Sequence, residues 1–253
     1  MTVKELYDKL SLRIPETLRE EWDNDGIMCC PDFSAEVRSA LITLDVTEEI
    51  VDYAISRKFD LIISHHPLVF KPIGRLTESA PTERKLIKLV SNNISVFSFH
   101  TRLDKVEGGV NDVLSRLVGL TNTRPFGEGG LGRIGVFAEE TSLDMFCEFV
   151  KMQLGADAVR YADAYNPVRH VALVGGDGKD FVEAAINEGA DTYISGRISY
   201  NVMETAAELG INLIEAGHYF TENPVCEMLA SLLSSIDSSI ETEIADSNMI
   251  KLV

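Results

Sequence analysis

Apolar positions recur along the chain in short blocks of two kinds, one at helical spacing and one nearly continuous. Val3, Leu6, Tyr7 and Leu10 share one helical face, so Val3–Leu10 is predicted to be an amphipathic helix. Pro15 begins a second segment, Glu16–Glu21. Trp22-Asp23-Asn24-Asp25-Gly26 is then a turn by composition. Trp22 beside two aspartates reads as a corner of the core, with a site wall as the alternative. Val37–Asp45 is predicted as a strand and Thr47–Ser56 as a helix, with Glu48 and Glu49 favouring its first turn. Leu61–Ser64 reads as a short strand buried on both faces. Strand, helix and strand in about thirty residues make a βαβ unit, so the two strands should be parallel with a right-handed crossover. Leu68–Pro81 is loop-like, Thr82–Ser91 helical, and Ile94–Phe99 another strand. Gly108-Gly109 breaks the chain, and Val110–Val118 is a helix ended by Gly119.

Gly127-Glu128-Gly129-Gly130-Leu131-Gly132 is the best candidate boundary, giving lobes of residues 1–126 and 127–253. The alternation then restarts. Strands are predicted at Arg133–Ala138, Ala158–Tyr161, His170–Val174, Asp191–Ser195, Ile211–Ile214 and near Glu241–Ile244. Helices are predicted at Ser142–Leu154, Phe181–Glu188, Asn201–Leu209 and Asn223–Leu233. The fold class is α/β, with two mixed α/β lobes and no short-period repeat.

Three of the apolar strands run directly into chemistry-bearing residues. Leu61–Ser64 leads into His65-His66-Pro67. Ile94–Phe99 leads into His100-Thr101-Arg102-Leu103-Asp104. Ile211–Ile214 leads into Glu215-Ala216-Gly217-His218, with Glu222 four residues on. Ligands of open α/β sheets gather at that edge. Imidazole nitrogens with carboxylate oxygens suit zinc, iron, manganese or nickel. His65, His66, Asp104, His218 and Glu222 are many ligands for one ion and a natural set for two ions bridged by a carboxylate. His218 and Glu222 either share a helical face, or His218 lies in a loop before a helix that begins near Thr221, as Pro224 suggests.

Composition narrows the setting. Lys and Arg total 23 against 40 Asp and Glu, a formal charge of −17. So acidic a surface repels phosphate backbones and argues against a general nucleic-acid binder. No apolar run is long enough to span a membrane, and the first residues lack a secretory pattern, so a cytoplasmic location is expected. Cys29, Cys30, Cys147 and Cys226 lack zinc-knuckle spacing and are expected to be reduced and mostly buried. His170 reads as structural. Val174–Asp180 reads as a plain strand-to-helix turn, since its aspartates disfavour the anions that glycine-rich turns can bind.

Five motifs together resemble the NIF-three-like family, also known as GTP cyclohydrolase I type 2 homologues or YbgI-like dinuclear metal-centre proteins. They are Trp22-Asp23-Asn24-x-Gly26, Ser64-His65-His66-Pro67, His100-Thr101-x-Leu103-Asp104, Leu131-Gly132-Arg133-Ile134-Gly135 and Gly217-His218-Tyr219-x-Thr221-Glu222. They span nearly the whole chain in the family's order. The resemblance implies the NIF-three-like fold, with a dinuclear metal site between strand ends. It also implies two divalent cations per subunit, with His65, His66, Asp104 and His218 as terminal ligands and Glu222 as the bridge. It implies self-assembly into a toroidal homohexamer, a trimer of dimers. For activity it implies a metal-dependent hydrolase of a nucleotide or related heterocycle, with GTP ring opening the named possibility. His100, four residues before Asp104, reads as a catalytic residue that supports the ligands or faces the substrate and could shuttle protons, with a buried core histidine as the alternative. The rival from another class is a metal-binding or regulatory protein without turnover. One position departs: where the family usually carries Tyr-His, this chain has Tyr200-Asn201. Asparagine hydrogen-bonds but is no general base near neutral pH.

Overall fold

Runs such as Leu61-Ile62-Ile63-Ser64 have no solvent-facing side, so they become strands only in sheets covered on both faces. The computed structural model describes residues 1–251 and shows two such sheets. In chain order the elements are α1 (Val3–Arg13), β1 (Gly26–Cys29), β2 (Ser39–Thr43), α2 (Glu48–Arg57), β3 (Leu61–Ser64), α3 (Pro81–Ser91), β4 (Ser95–Ser98), α4 (Thr101–Lys105) and α5 (Val110–Leu117). They continue as β5 (Leu120–Phe126), β6 (Gly132–Thr141), α6 (Leu143–Leu154), β7 (Arg160–Ala162), β8 (Val168–Val174), α7 (Val182–Asn187) and β9 (Thr192–Ser195). The chain ends with α8 (Tyr200–Glu208), β10 (Asn212–Glu215), α9 (His218–Glu222), α10 (Val225–Ile236) and β11 (Glu241–Ile244). Most predicted elements lie within a few residues of these bounds. Local chemistry explains the starts: Thr2 caps α1 in a capping box with Glu5, and Thr47 and Ser142 cap α2 and α6.

The chain divides into two compact units. The first comprises Met1–Val106 and Val225–Lys251, and the second contains Glu107–Pro224. A single cut after residue 126 therefore does not describe it. The glycine-rich stretch joins β5 to β6, which pair antiparallel inside the second unit. The exchange at the C-terminus is set by α10, which returns the chain so that β11 pairs parallel with β2.

The first unit has strand order β1-β4-β3-β2-β11, parallel except for β1. Leu41, Ile62 and Val96 pack with Ile50, Val51, Ala54 and Leu89 in one apolar cluster. The second unit has order β5-β6-β8-β9-β10-β7, with β8, β9 and β10 parallel. Its faces alternate as period two requires: Val171 and Leu173 join one cluster, Ala172 and Val174 the other. Among the described residues no helix is long and apolar enough to cross a membrane.

None of the four cysteines is in a disulfide. Burial, with Cys30 beside it, pushes the Cys29 thiol up to about 11. Burial and nearby carboxylates push Cys147 and Cys226 up to about 12. Cys30 is only half-buried. Thiolate is the reactive form. A disulfide reagent at pH 8 should therefore label Cys30 rapidly in the native protein and the other three only on unfolding. Cys30→Ser should remove the fast phase.

Candidate metal centre

Parallel register brings the candidate residues of the first unit to one sheet edge. Thr43 pairs with Ser64, and Ser64 with Ser98. The residues just beyond, Asp45 after β2, His65 and His66 after β3, and His100 after β4, therefore emerge side by side. One nitrogen from each of His65, His66 and His100 lies within 4.8 Å of the other two, a group able to hold a metal ion. Asp104 sits on α4, with Oδ1 3.6 Å from His65 Nε2. His65 is fully buried, and His66 and His100 are partly so.

Each imidazole is oriented through the same atom. His65 Nδ1 lies 2.9 Å from the Phe99 carbonyl. His66 Nδ1 lies 2.7 Å from Asp45 Oδ1, and His100 Nδ1 lies 2.8 Å from Asp23 Oδ1. A carbonyl or carboxylate oxygen only accepts, so each Nδ1 carries a hydrogen, and in the neutral ring the lone pair is on Nε2. Metal-ligating histidines are held this way, with an acceptor on the other nitrogen fixing the tautomer. By the chemistry of the donor set, the residues fit divalent metal.

Asp23 does more than hold His100. Its carboxylate also accepts from the Thr101 amide at 3.1 Å and the Thr101 hydroxyl at 2.6 Å. Burial alone would raise its pKa. The hydrogen bonds from His100 and Thr101, with the His100 charge, outweigh burial and bring it down to about 2. Asp25, two residues on, accepts from the His100 amide at 3.2 Å and from Arg102 Nε at 2.8 Å.

In the second unit, His218 and Glu222 share the short helix α9, with Nε2 2.9 Å from Oε2. The shared-face alternative is thus the observed one, and Pro224 instead separates α9 from α10. Glycines surround the pair. A Cβ on Gly176 (φ +66°) would meet Glu222 Oε1 at 2.1 Å and His218 Nε2 at 3.2 Å. A Cβ on Gly196 would meet Thr221 Oγ1 at 2.5 Å. The turn after β8 is therefore shaped around the His218–Glu222 pair, a role its sequence did not disclose.

Other positions differ from expectation or stand apart. Trp22 is no core corner: it is 64% exposed and meets His100 edge to face, with ring centroids 6.2 Å apart. His170, on β8, is largely exposed and 3.6 Å from Asp191. Asn201 is exposed in the first turn of α8. Asp45, Asp23 and Gly176 were missed as site residues. Only the Trp22–Gly26 motif carried a signal for any of them.

The Duf34/NIF3 (NGG1p interacting factor 3) profile matches residues 1–251. The chain belongs to the Duf34/NIF3 family. A Clostridium acetobutylicum relative named GTP cyclohydrolase 1 type 2 homolog is 33% identical over 241 residues, covering 92% of this chain and 90% of that one. A Methanocaldococcus jannaschii relative of the same name is 30% identical over 224 residues, covering 88% and 90%. Among solved Duf34/NIF3-like folds, a Staphylococcus aureus hypothetical protein superposes with a TM-score of 0.90 at 25% identity, covering 100% of this chain and 99% of that one. The Bacillus cereus protein related to NIF3 gives 0.91 at 23% identity, covering 100% and 99%, and shows the fold.

The acid side of Asp23 is testable. Its folded pKa lies below the ordinary 3.8, so its stabilisation is present above about pH 4 and lost as pH falls toward 2. Asp23→Asn should lower the unfolding free energy of the metal-free protein by about 2 kcal/mol at pH 6. The gap to wild type should close by about pH 2, as read by urea denaturation across pH.

Proposed function

We propose that this Duf34/NIF3 protein is a divalent-metal-dependent hydrolase acting on a nucleotide or related heterocycle. The observation that carries the reading is the set of three clustered imidazoles, each with Nδ1 held by an acceptor. Such ordering is what ligation and proton transfer need and what a generic polar strand terminus lacks. The substrate class comes from the curated relatives' name, GTP cyclohydrolase 1 type 2 homolog.

In this reading His65, His66 and Asp104 of the first unit would serve as metal ligands, and so would His218 and Glu222 of the second. The support is the family's motif order together with the donor chemistry on each unit. When bound, divalent metal supplies Lewis-acid polarisation and lowers the pKa of water at the site. The chain's own part is orientation and proton handling. Phe99 and Asp45 fix the rings of His65 and His66. Asp23 holds the hydrogen on His100 Nδ1, so Nε2 is the atom that takes up or gives back a proton. Gly176 leaves room for Glu222. Assembly as a homohexamer belongs to the same reading. Light scattering should then give about six times the 27.9 kDa chain mass.

Elemental analysis after equilibration with zinc or manganese should find about two ions per wild-type chain. His65→Ala should reduce this to about one or fewer. Glu222→Ala should do the same, and so should Gly176→Ala, although residue 176 is no ligand. Circular dichroism should be unchanged, because these residues lie beyond strand ends rather than in the cores. His100→Gln should keep the metal and lower hydrolysis of GTP by about 10²–10⁴-fold. Unchanged metal content in all three site variants would sink the assignment.

A further inference from the structure

The metal reading leaves one feature of the first unit unused, an aromatic corner beside His100. Trp22 is 64% exposed and Phe70 is 48% exposed. Single exposed apolar side chains are ordinary. These two are neighbours, with ring centroids 6.3 Å apart and planes at 66°. Each also meets the His100 ring edge to face at 6.2 Å. His100 in turn lies 5.4 Å from His65 and 5.8 Å from His66, ring to ring.

The corner is fixed from both sides. Asn24 Nδ2 donates to the Val69 carbonyl, tying the turn that carries Trp22 to the loop that carries Phe70. Asp23, the next residue after Trp22, is bonded to His100 and Thr101. An open aromatic surface is thus anchored against a group of polar imidazoles. A ligand that suits both has an apolar face and a polar edge. An aliphatic chain has no polar edge to offer the imidazole cluster. A sugar phosphate has no face to stack. A planar heteroaromatic ring meets both demands.

We propose that Trp22 and Phe70 form a stacking subsite for a heteroaromatic ring of nucleobase size, directing the ring's polar edge toward the histidine cluster. This deepens the hydrolase reading and rests on it for what happens to the ring after binding. The affinity comes from the ring, through stacking on the aromatic side chains.

Trp22 is the single tryptophan of the chain, so intrinsic fluorescence reports this position. The probes are GMP and ribose 5-phosphate, which differ only by the base, titrated into metal-free and zinc-loaded protein. GMP should quench Trp22 saturably in both forms, and ribose 5-phosphate should not. Phe70→Leu, which keeps bulk but removes the ring, should weaken GMP binding about tenfold. Phe70→Tyr should restore it to within about twofold of wild type. Zinc content and circular dichroism should be the same in all three proteins. The subsite is overturned if millimolar GMP leaves the fluorescence unchanged, if ribose 5-phosphate quenches equally, or if Phe70→Leu binds GMP like wild type. Failure of the metal reading shows separately, as absence of zinc from the wild type, because the metal-free titration does not depend on it.

Discussion

The geometry of the first unit's sheet edge hangs on a buried charge, the guanidinium of Arg102. It is fully buried. An isolated cation there would cost several kcal/mol of lost hydration. Its donors are instead spent on three partners, two on α1 and its C-cap and one in the Trp22–Gly26 turn. Nε donates to Asp25, one terminal nitrogen to the Ile14 carbonyl at 3.0 Å and the other to the Tyr7 hydroxyl at 3.2 Å. The plane also lies 4.6 Å from the Phe99 ring centroid, an attraction that grows when water is excluded. Helix α1, the Trp22–Gly26 turn and the segment after β4 can satisfy this one side chain only in a single mutual arrangement. His100 and Asp104 flank Arg102 in sequence, so that arrangement also positions them.

From that clamp the site follows by register. Parallel strands place residues with the same offset at the same edge. Each imidazole then takes its acceptor from a different source: His65 from the backbone of the neighbouring strand, His66 from the residue-45 carboxylate after β2, and His100 from the Trp22–Gly26 turn. One backbone and two carboxylate acceptors give the same tautomer three times. No local sequence feature enforces this. It arises because three chain segments converge where strands end.

The sequence made legible what depends on buried apolar runs. Strands β3, β4 and β9, and the Val171–Val174 part of β8, were readable as buried runs in which polar groups begin where burial stops. The ligand-type residues at those stops were readable for the same reason. Strand β5, Leu120–Phe126, was not, because its interior residues are exposed and it has no apolar face to show. The return of α10 and β11 to the first unit was also hidden, since an amphipathic helix does not say which sheet it will cover. Gly127–Gly132 looked like a linker because glycine-rich hairpin connections and interdomain linkers share a composition. The partners that orient the site, Asp45 and Asp23, and the space left by Gly176, are consequences of approach in three dimensions. Trp22 was misread because its neighbours, rather than its own chemistry, decide whether a large ring is covered.

Asp23 and Asp25 show how far environment overrides identity. Both side chains are shielded from solvent, and both lie in the same five-residue turn. Burial is the largest influence on each, and it raises both. Asp23 receives hydrogen bonds from one ring nitrogen, one amide and one hydroxyl in the next segment, and its pKa ends well below the carboxylate range. Asp25 gains the Arg102 charge but also feels Asp23, and burial prevails, so its pKa ends raised. The difference suits their places. Asp25 pairs with an arginine that never changes charge and meets His100 only at its backbone amide. Asp23 faces the His100 ring and holds its Nδ1–H. A carboxyl that took up a proton near neutrality would become a donor and release that constraint. Held far below neutrality, Asp23 remains an acceptor for the His100 Nδ1–H.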